Sequence, residues 1–89
     1  MNNSLTQELT SQLAQLKKHQ PTLFQKIQKQ LKIFSTDPRH PSLRLHKLTD
    51  KLKNTWSISI DRNHRLIYYV TKNGAVFFAF GTHDQVYHK

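Results

Sequence analysis

Residues 65–80 read RLIYYVTKNGAVFFAF, and the fold turns on how this stretch is punctuated. Arg65 to Val70 and Ala75 to Phe80 are runs of β-branched, aromatic and small apolar residues, the composition of buried strands. Between them, Asn73-Gly74 is the strongest two-residue hairpin signal a sequence carries. Written as a two-residue loop, it sets Lys72 opposite Ala75, Tyr69 opposite Phe78, Arg65 opposite Thr82 and His64 opposite His83.

The next run upstream extends the pattern. Trp56, Ile58 and Ile60 alternate with Ser57, Ser59 and Asp61, as expected of a half-buried strand. With Arg62-Asn63 as its turn, Ile60 faces Arg65 and Trp56 faces Tyr69. One sheet face then carries Trp56, Ile58, Ile60, Ile67, Tyr69, Val76, Phe78 and Phe80, and Arg65 falls at its open end. The other face carries Ser57, Ser59, His64, Leu66, Tyr68, Phe77, Ala79 and His83. A bulge at Gly81 would turn everything after it to the opposite face. Further upstream, SLRLHKL over residues 42–48 reads as a short strand, preceded by the Pro-rich linker STDPRHPS over 35–42.

The first third of the chain has a helical period. Leu5, Leu9, Leu13 and Leu16 form one apolar stripe, with Ser4 and Gln7 as a capping box. Pro21 suits a first helical position, and Leu23, Phe24, Ile27, Leu31 and Phe34 make a second stripe. The expected architecture is a single α+β domain over residues 1–89. In it an N-terminal antiparallel helical hairpin (about 4–34) packs on a twisted antiparallel sheet of about four strands (about 42–87).

Charge is the informative total. The 89 residues carry 14 Lys and Arg against 5 Asp and Glu, a formal +9. That balance attracts polyanions, nucleic acid or an acidic protein partner. Cysteine is absent, which excludes disulfides and thiolate chemistry. No apolar run is long enough for a membrane span and no signal peptide is visible, so a cytoplasmic location without membrane association is expected. His83 and His88 form a lone H-x₄-H spacing, too little to predict a metal site, and no cofactor is expected.

The hairpin gathers groups suited to phosphodiester chemistry. Cleaving RNA without a metal requires a proton taken from the 2′-hydroxyl, charge stabilised on the phosphate and a proton given to the 5′-oxygen. Histidine performs either transfer near neutral pH. Arginine offers a planar charged fork to the phosphate, and tyrosine can stack on a base. His46, Arg65, His83 and Tyr87 supply these types, beside a basic segment with Lys47, Lys51, Lys53 and Arg62 as candidate RNA contacts. Taken from the residues alone, a histidine is more often a surface or hydrogen-bonded residue than a catalyst.

The residues HPSLRLHKLTDKLKNTWSISIDRNHRLIYYV (40–70), followed by FGTHDQVY (80–87), resemble the RelE/ParE superfamily of bacterial toxins, most of all its RelE/StbE and YafQ-like branch of mRNA interferases. The resemblance implies the toxin of a type II toxin–antitoxin system. Such a toxin enters the ribosomal A site, contacts ribosomal RNA and cuts mRNA by 2′-hydroxyl attack, leaving a 2′,3′-cyclic or 3′-phosphate. A cognate antitoxin would neutralise it, and operator DNA would be bound only through the toxin–antitoxin complex. The likeness assigns His83 as a catalytic histidine, Tyr87 as the nearby aromatic, Arg65 as the phosphate-binding arginine and His46 as a second histidine. Asp61 could orient a neighbouring histidine or raise its pKa. Many relatives carry an arginine where this chain has Ser59. Relatives also begin with a strand, for which MNNSLTQ gives no signal, so an exposed sheet edge open to strand addition is expected. Two other functions fit the same fold: a ParE-like inhibitor of DNA gyrase, and a non-catalytic antitoxin or nucleic-acid-binding module.

Overall fold

The computed structural model describes residues 3–48 and 54–82. Its elements are β1 (Asn3–Leu5), α1 (Gln7–His19), α2 (Pro21–Thr36), a 3₁₀ turn (Pro41–Leu43), β2 (His46–Leu48), β3 (Thr55–Ser59), β4 (His64–Thr71) and β5 (Gly74–Thr82). The five strands form one sheet in the order β1-β5-β4-β3-β2. Two helices on one sheet give the expected α+β architecture.

Both helices start where local chemistry allows. The Thr6 hydroxyl accepts the Leu9 N–H at 3.2 Å and caps α1, two residues later than the Ser4 box predicted. Pro21 stands at the first position of α2, where its missing N–H costs nothing. Leu9 and Leu13 of α1 and Leu23, Ile27 and Phe34 of α2 are buried against Ile58, Leu66, Tyr68, Ala75 and Phe77 of the sheet. Phe34 is the centre of this contact. Its ring meets Tyr68 edge-on at 5.0 Å and Phe77 at 5.2 Å, and is fully buried.

The sheet departs from expectation in three ways. First, it contains an N-terminal strand. Asn3, Ser4 and Leu5 pair in parallel with Ala75, Val76 and Phe77, which makes the sheet mixed rather than antiparallel. Thr6 N–H continues the pairing to the Phe77 carbonyl at 3.0 Å, and Asn3 Nδ2 donates to Ser35 Oγ of α2 at 2.7 Å. This strand is made by backbone pairing, so its side-chain pattern carried no signal.

Second, the hairpin turns one residue earlier than predicted. Thr71 pairs with Gly74, leaving Lys72 and Asn73 at the corner. The Thr71 hydroxyl is the reason: it accepts the Asn73 N–H at 3.1 Å and donates to the Gly74 carbonyl at 3.2 Å. The positive φ that the Asn-Gly pair promised falls on Gly74 alone, at 135°.

Third, the bulge lies within β5 rather than at Gly81. Tyr68 pairs with Phe77 and Ile67 with Ala79, so Phe78 is the extra residue. Past it, Arg65 pairs with Gly81 and His64 with Thr82. On the other side of β4, Trp56 pairs with Tyr68 and Ser59 with Arg65.

These shifts rearrange the two faces, because one residue of slip exchanges them. The helix-covered face carries Trp56, Ile58, Leu66, Tyr68, Phe77 and Phe80. Ile67, Tyr69, Val76 and Phe78, expected beneath the helices, belong to the opposite face, where Tyr69 and Phe78 touch at 5.6 Å. Leu66, Tyr68 and Phe77 make the reverse exchange. Arg65 also moves, from the covered face to the one bearing Ser57 and Ser59.

Candidate functional site

The site is built on that second face, at the end of the sheet where β3 turns into β4. Arg65 lies opposite Ser59, but its side chain leans along the ladder to the diagonal neighbour. Its Nε donates to Ser57 Oγ at 2.9 Å. Its Nη2 donates to the Arg44 carbonyl at 2.7 Å and, at 3.3 Å, to the Ser57 carbonyl. A guanidinium held at two edges by fixed acceptors has little rotamer freedom left to lose on binding an anion. Ser57 is fully buried, which makes it a rigid anchor.

His46 opens β2 and pairs directly with Ser57. Directly opposed residues share a face, so the imidazole of His46 stands beside the serine that anchors Arg65. The structure therefore brings His46 and Arg65 together as the sequence suggested, through Ser57, which the sequence did not single out. Its only sign was a small polar residue in an alternating strand.

Arg44 and Arg62 flank the same place. With Arg65, Asp61, Gln30 and Ser42 they line a cleft of about 470 Å³. Arg44 adopts a left-handed backbone with φ 46°, which directs its carbonyl to Arg65. Three guanidinium groups around one opening favour an anionic ligand.

Asp61 organises the turn between β3 and β4. Its Oδ1 accepts the backbone N–H groups of Asn63 and His64 and the Nδ1–H of His64, each at 2.9 Å. Its Oδ2 receives Lys26 of α2 at 3.5 Å. Burial works to raise the Asp61 pKa, but the His64 ring and the Asn63 N–H outweigh it together with the charge and backbone N–H of His64. The carboxyl ends below its ordinary value. Asp61 does orient a histidine, and that histidine is His64. Donation from Nδ1 fixes the tautomer and leaves Nε2 as the other ring nitrogen.

His64 is the residue that sequence reasoning placed wrongly. It was expected on the face of Ser57 and Ser59; instead it stacks on Phe80 of the helix-covered face, with centroids 5.4 Å apart and planes 2° from parallel. The signal that could have found it is D-x-x-H spanning a strand-to-strand turn, the spacing of a carboxylate that caps the turn and grips the ring.

Lys47 also lies away from the cleft. It pairs with Trp56, and its ammonium sits 5.6 Å from the Trp56 ring centroid, a cation–π contact on the helix side of the sheet. Where relatives were expected to carry an arginine, Ser59 is buried and donates to the Asp61 carbonyl at 3.0 Å, closing the turn. His83, Tyr87, Lys51 and Lys53 lie outside the described residues. Among the described residues no three His, Asp or Glu side chains gather as a metal site.

A mixed five-stranded sheet backed by two helices is an α+β fold with known examples among solved structures. No family model matches the sequence, and no curated protein matches it. Among solved structures, the YoeB/ParE toxin from Agrobacterium tumefaciens superposes with a TM-score of 0.78 at 18% identity, over 93% of this chain and 99% of that one. YafQ from E. coli superposes with a TM-score of 0.75 at 16% identity, over 97% of each chain. A chain of the heterotetrameric YoeB–YefM toxin–antitoxin complex from Staphylococcus aureus gives 0.75 at 20% identity, over 93% of this chain and 97% of that one. The chain has the fold of these YoeB and YafQ proteins over nearly its whole length.

Proposed function

We propose that this chain is the toxin of a type II toxin–antitoxin pair, a ribosome-dependent endoribonuclease that cuts mRNA and is held inactive by a cognate antitoxin. One observation carries the reading: Arg65 is fixed by Ser57 and the Arg44 carbonyl beside His46, at a cleft lined by two further arginines. The fold agrees with it, since the proteins of the same fold include toxins crystallised with the antitoxins YefM and DinJ.

In the proposed reaction the 2′-oxygen bonds to phosphorus as the bond to the 5′-oxygen breaks. Arg65 binds the non-bridging oxygens, whose negative charge grows in the transition state. One histidine takes the 2′-proton and another protonates the departing 5′-oxygen, yielding a 2′,3′-cyclic phosphate and a 5′-hydroxyl. His46 and His83 are assigned to these two transfers and Tyr87 to the base, with no metal or cofactor taking part. Arg62, Lys47, Lys51 and Lys53 contribute to RNA binding, and ribosomal RNA completes the surface. The protein acts in the cytoplasm and reaches operator DNA only with its antitoxin.

Induction without antitoxin, followed by primer extension on a reporter mRNA, tests the proposal. Discrete cuts within codons, lost in Arg65→Ala and His83→Ala chains that remain folded, are expected. Growth arrest with intact mRNA and a DNA-damage response would replace this reading with gyrase inhibition. Unchanged growth would point to a non-catalytic module.

A further inference from the structure

We infer that Gln30 is a positioning residue for Arg65: its side-chain amide holds together the two backbone segments on which the Arg65 guanidinium is anchored. The inference rests on the proposed reading of Arg65 as the phosphate-binding group. Gln30 occupies a core position of α2, on the stripe formed by Leu23, Ile27 and Phe34, and it is only 7% exposed. A polar residue there is costly to bury unless its polar atoms are satisfied.

Its Nε2 donates to the Ser59 carbonyl at 2.8 Å and to the Ser42 carbonyl at 3.1 Å. Neither partner is incidental. Ser59 ends β3 directly opposite Arg65 in the ladder. Ser42 belongs to the 3₁₀ turn that delivers Arg44, whose carbonyl accepts Arg65 Nη2 at 2.7 Å. One nitrogen of α2 thus clamps the strand opposite Arg65 to the loop that grips its guanidinium.

A hydrophobic residue would fill the same volume and pack equally well with Leu23 and Ile27. It would leave two carbonyls unpaired at the floor of the cleft and let the 3₁₀ turn move against β3. Arg44 would feel this first, because a non-glycine residue keeps a left-handed φ only where its surroundings hold it there. Loss of the Gln30 amide is therefore transmitted through Ser42 and Arg44 to the orientation of Arg65.

The test compares Gln30→Met, which keeps the volume and removes both donors, with Gln30→Lys, whose ammonium can donate to the same carbonyls. Solvent exchange of the Arg65 Nε–H is followed by NMR, with the Leu66 and Phe77 amides as reporters of the core. In Gln30→Met, Arg65 exchange should quicken about ten-fold or more while the core amides change less than about three-fold. Gln30→Lys should restore Arg65 to within about three-fold of the parent chain. If Gln30→Met does not fold, Gln30→Glu, which matches the shape but cannot donate when ionised, takes its place. An Arg65 rate unchanged by loss of the donors, matched by the core amides, or equally fast in the Lys variant would overturn the inference. Cleavage gives a second readout: Gln30→Met should lower mRNA cutting and Gln30→Lys should restore most of it. Should Arg65→Ala alone leave mRNA cutting intact, the proposed activity falls, while the exchange result still decides the role of Gln30.

Discussion

Arg65 anchors on Ser57 rather than on Ser59, the residue directly opposite it: Nε donates to Ser57 Oγ at 2.9 Å. The diagonal reach leaves the guanidinium beside His46 on the neighbouring strand. Only a planar fork can bond Ser57 through Nε and the Arg44 carbonyl through Nη2 at once. Arg65→Lys keeps the charge and loses the fork, so mRNA cutting should drop at least about ten-fold with the melting temperature within a few degrees. Primer extension and thermal unfolding of the same chain check this.

Asp61 makes a pH-dependent contribution to stability. Its folded pKa lies below the ordinary carboxylate value of 3.8, so the ionised form is favoured by folding. The contribution is fully present above that pH and is lost as the pH falls through the lower folded value. Asp61→Asn should lower the urea midpoint at pH 7, and the gap from the parent should close as the medium is acidified through and below pH 4. Removing the acceptor altogether, in Asp61→Ala, unpairs two backbone N–H groups and should cost about 1–2 kcal/mol at neutral pH.

Phe34 carries the contact between α2 and the sheet. Truncation to Ala removes two edge-on aromatic contacts and leaves a cavity beneath the helix. The expected cost is about 3–5 kcal/mol, a large part of the roughly 5–15 kcal/mol that holds a small domain together. Denaturant titration by circular dichroism should show a lower midpoint, and near-unfolding if the parent is at the weaker end of that range.

The +9 charge predicts salt-sensitive binding. Affinity for a single-stranded RNA oligonucleotide should fall linearly with salt on logarithmic axes, at about 0.7 per neutralised phosphate. Arg62, exposed at the mouth of the cleft, should account for about one such contact. Arg62→Ala would then flatten the slope by roughly 0.7 without changing base preference. Fluorescence anisotropy across a salt series measures it.

Periodicity and turn residues were enough to read two helices followed by a sheet, because side-chain pattern is set by burial. They did not reveal β1, whose three residues join the sheet by main-chain pairing with Ala75 to Phe77. Nor did they fix the register. The Asn-Gly pair marked the hairpin, yet the Thr71 hydroxyl decided where it turned, and the Phe78 bulge then changed the pairing again. β3 and β4 also pair one residue out of the expected register, with Ser59 rather than Ile60 opposite Arg65. That is why Arg65 was expected under the helices and His64 on the face of Ser57 and Ser59, the reverse of what the structure shows. Residue types marked the basic and titratable groups. Ser57 and Gln30 carried no chemical signal, because their importance lies in which neighbours they hold.

The parallel pairing of β1 with β5 also sets an order of assembly. Asn3 and Ala75 are partners although they stand about 70 positions apart in the chain, so their contact closes a long loop at an entropic cost. On a translating ribosome, residues 3–5 emerge before β5 and wait unpaired until it has been made. The hairpin of β4 and β5, which presents Arg65, can form locally; the edge that β1 covers stays open until the first and last described strands meet.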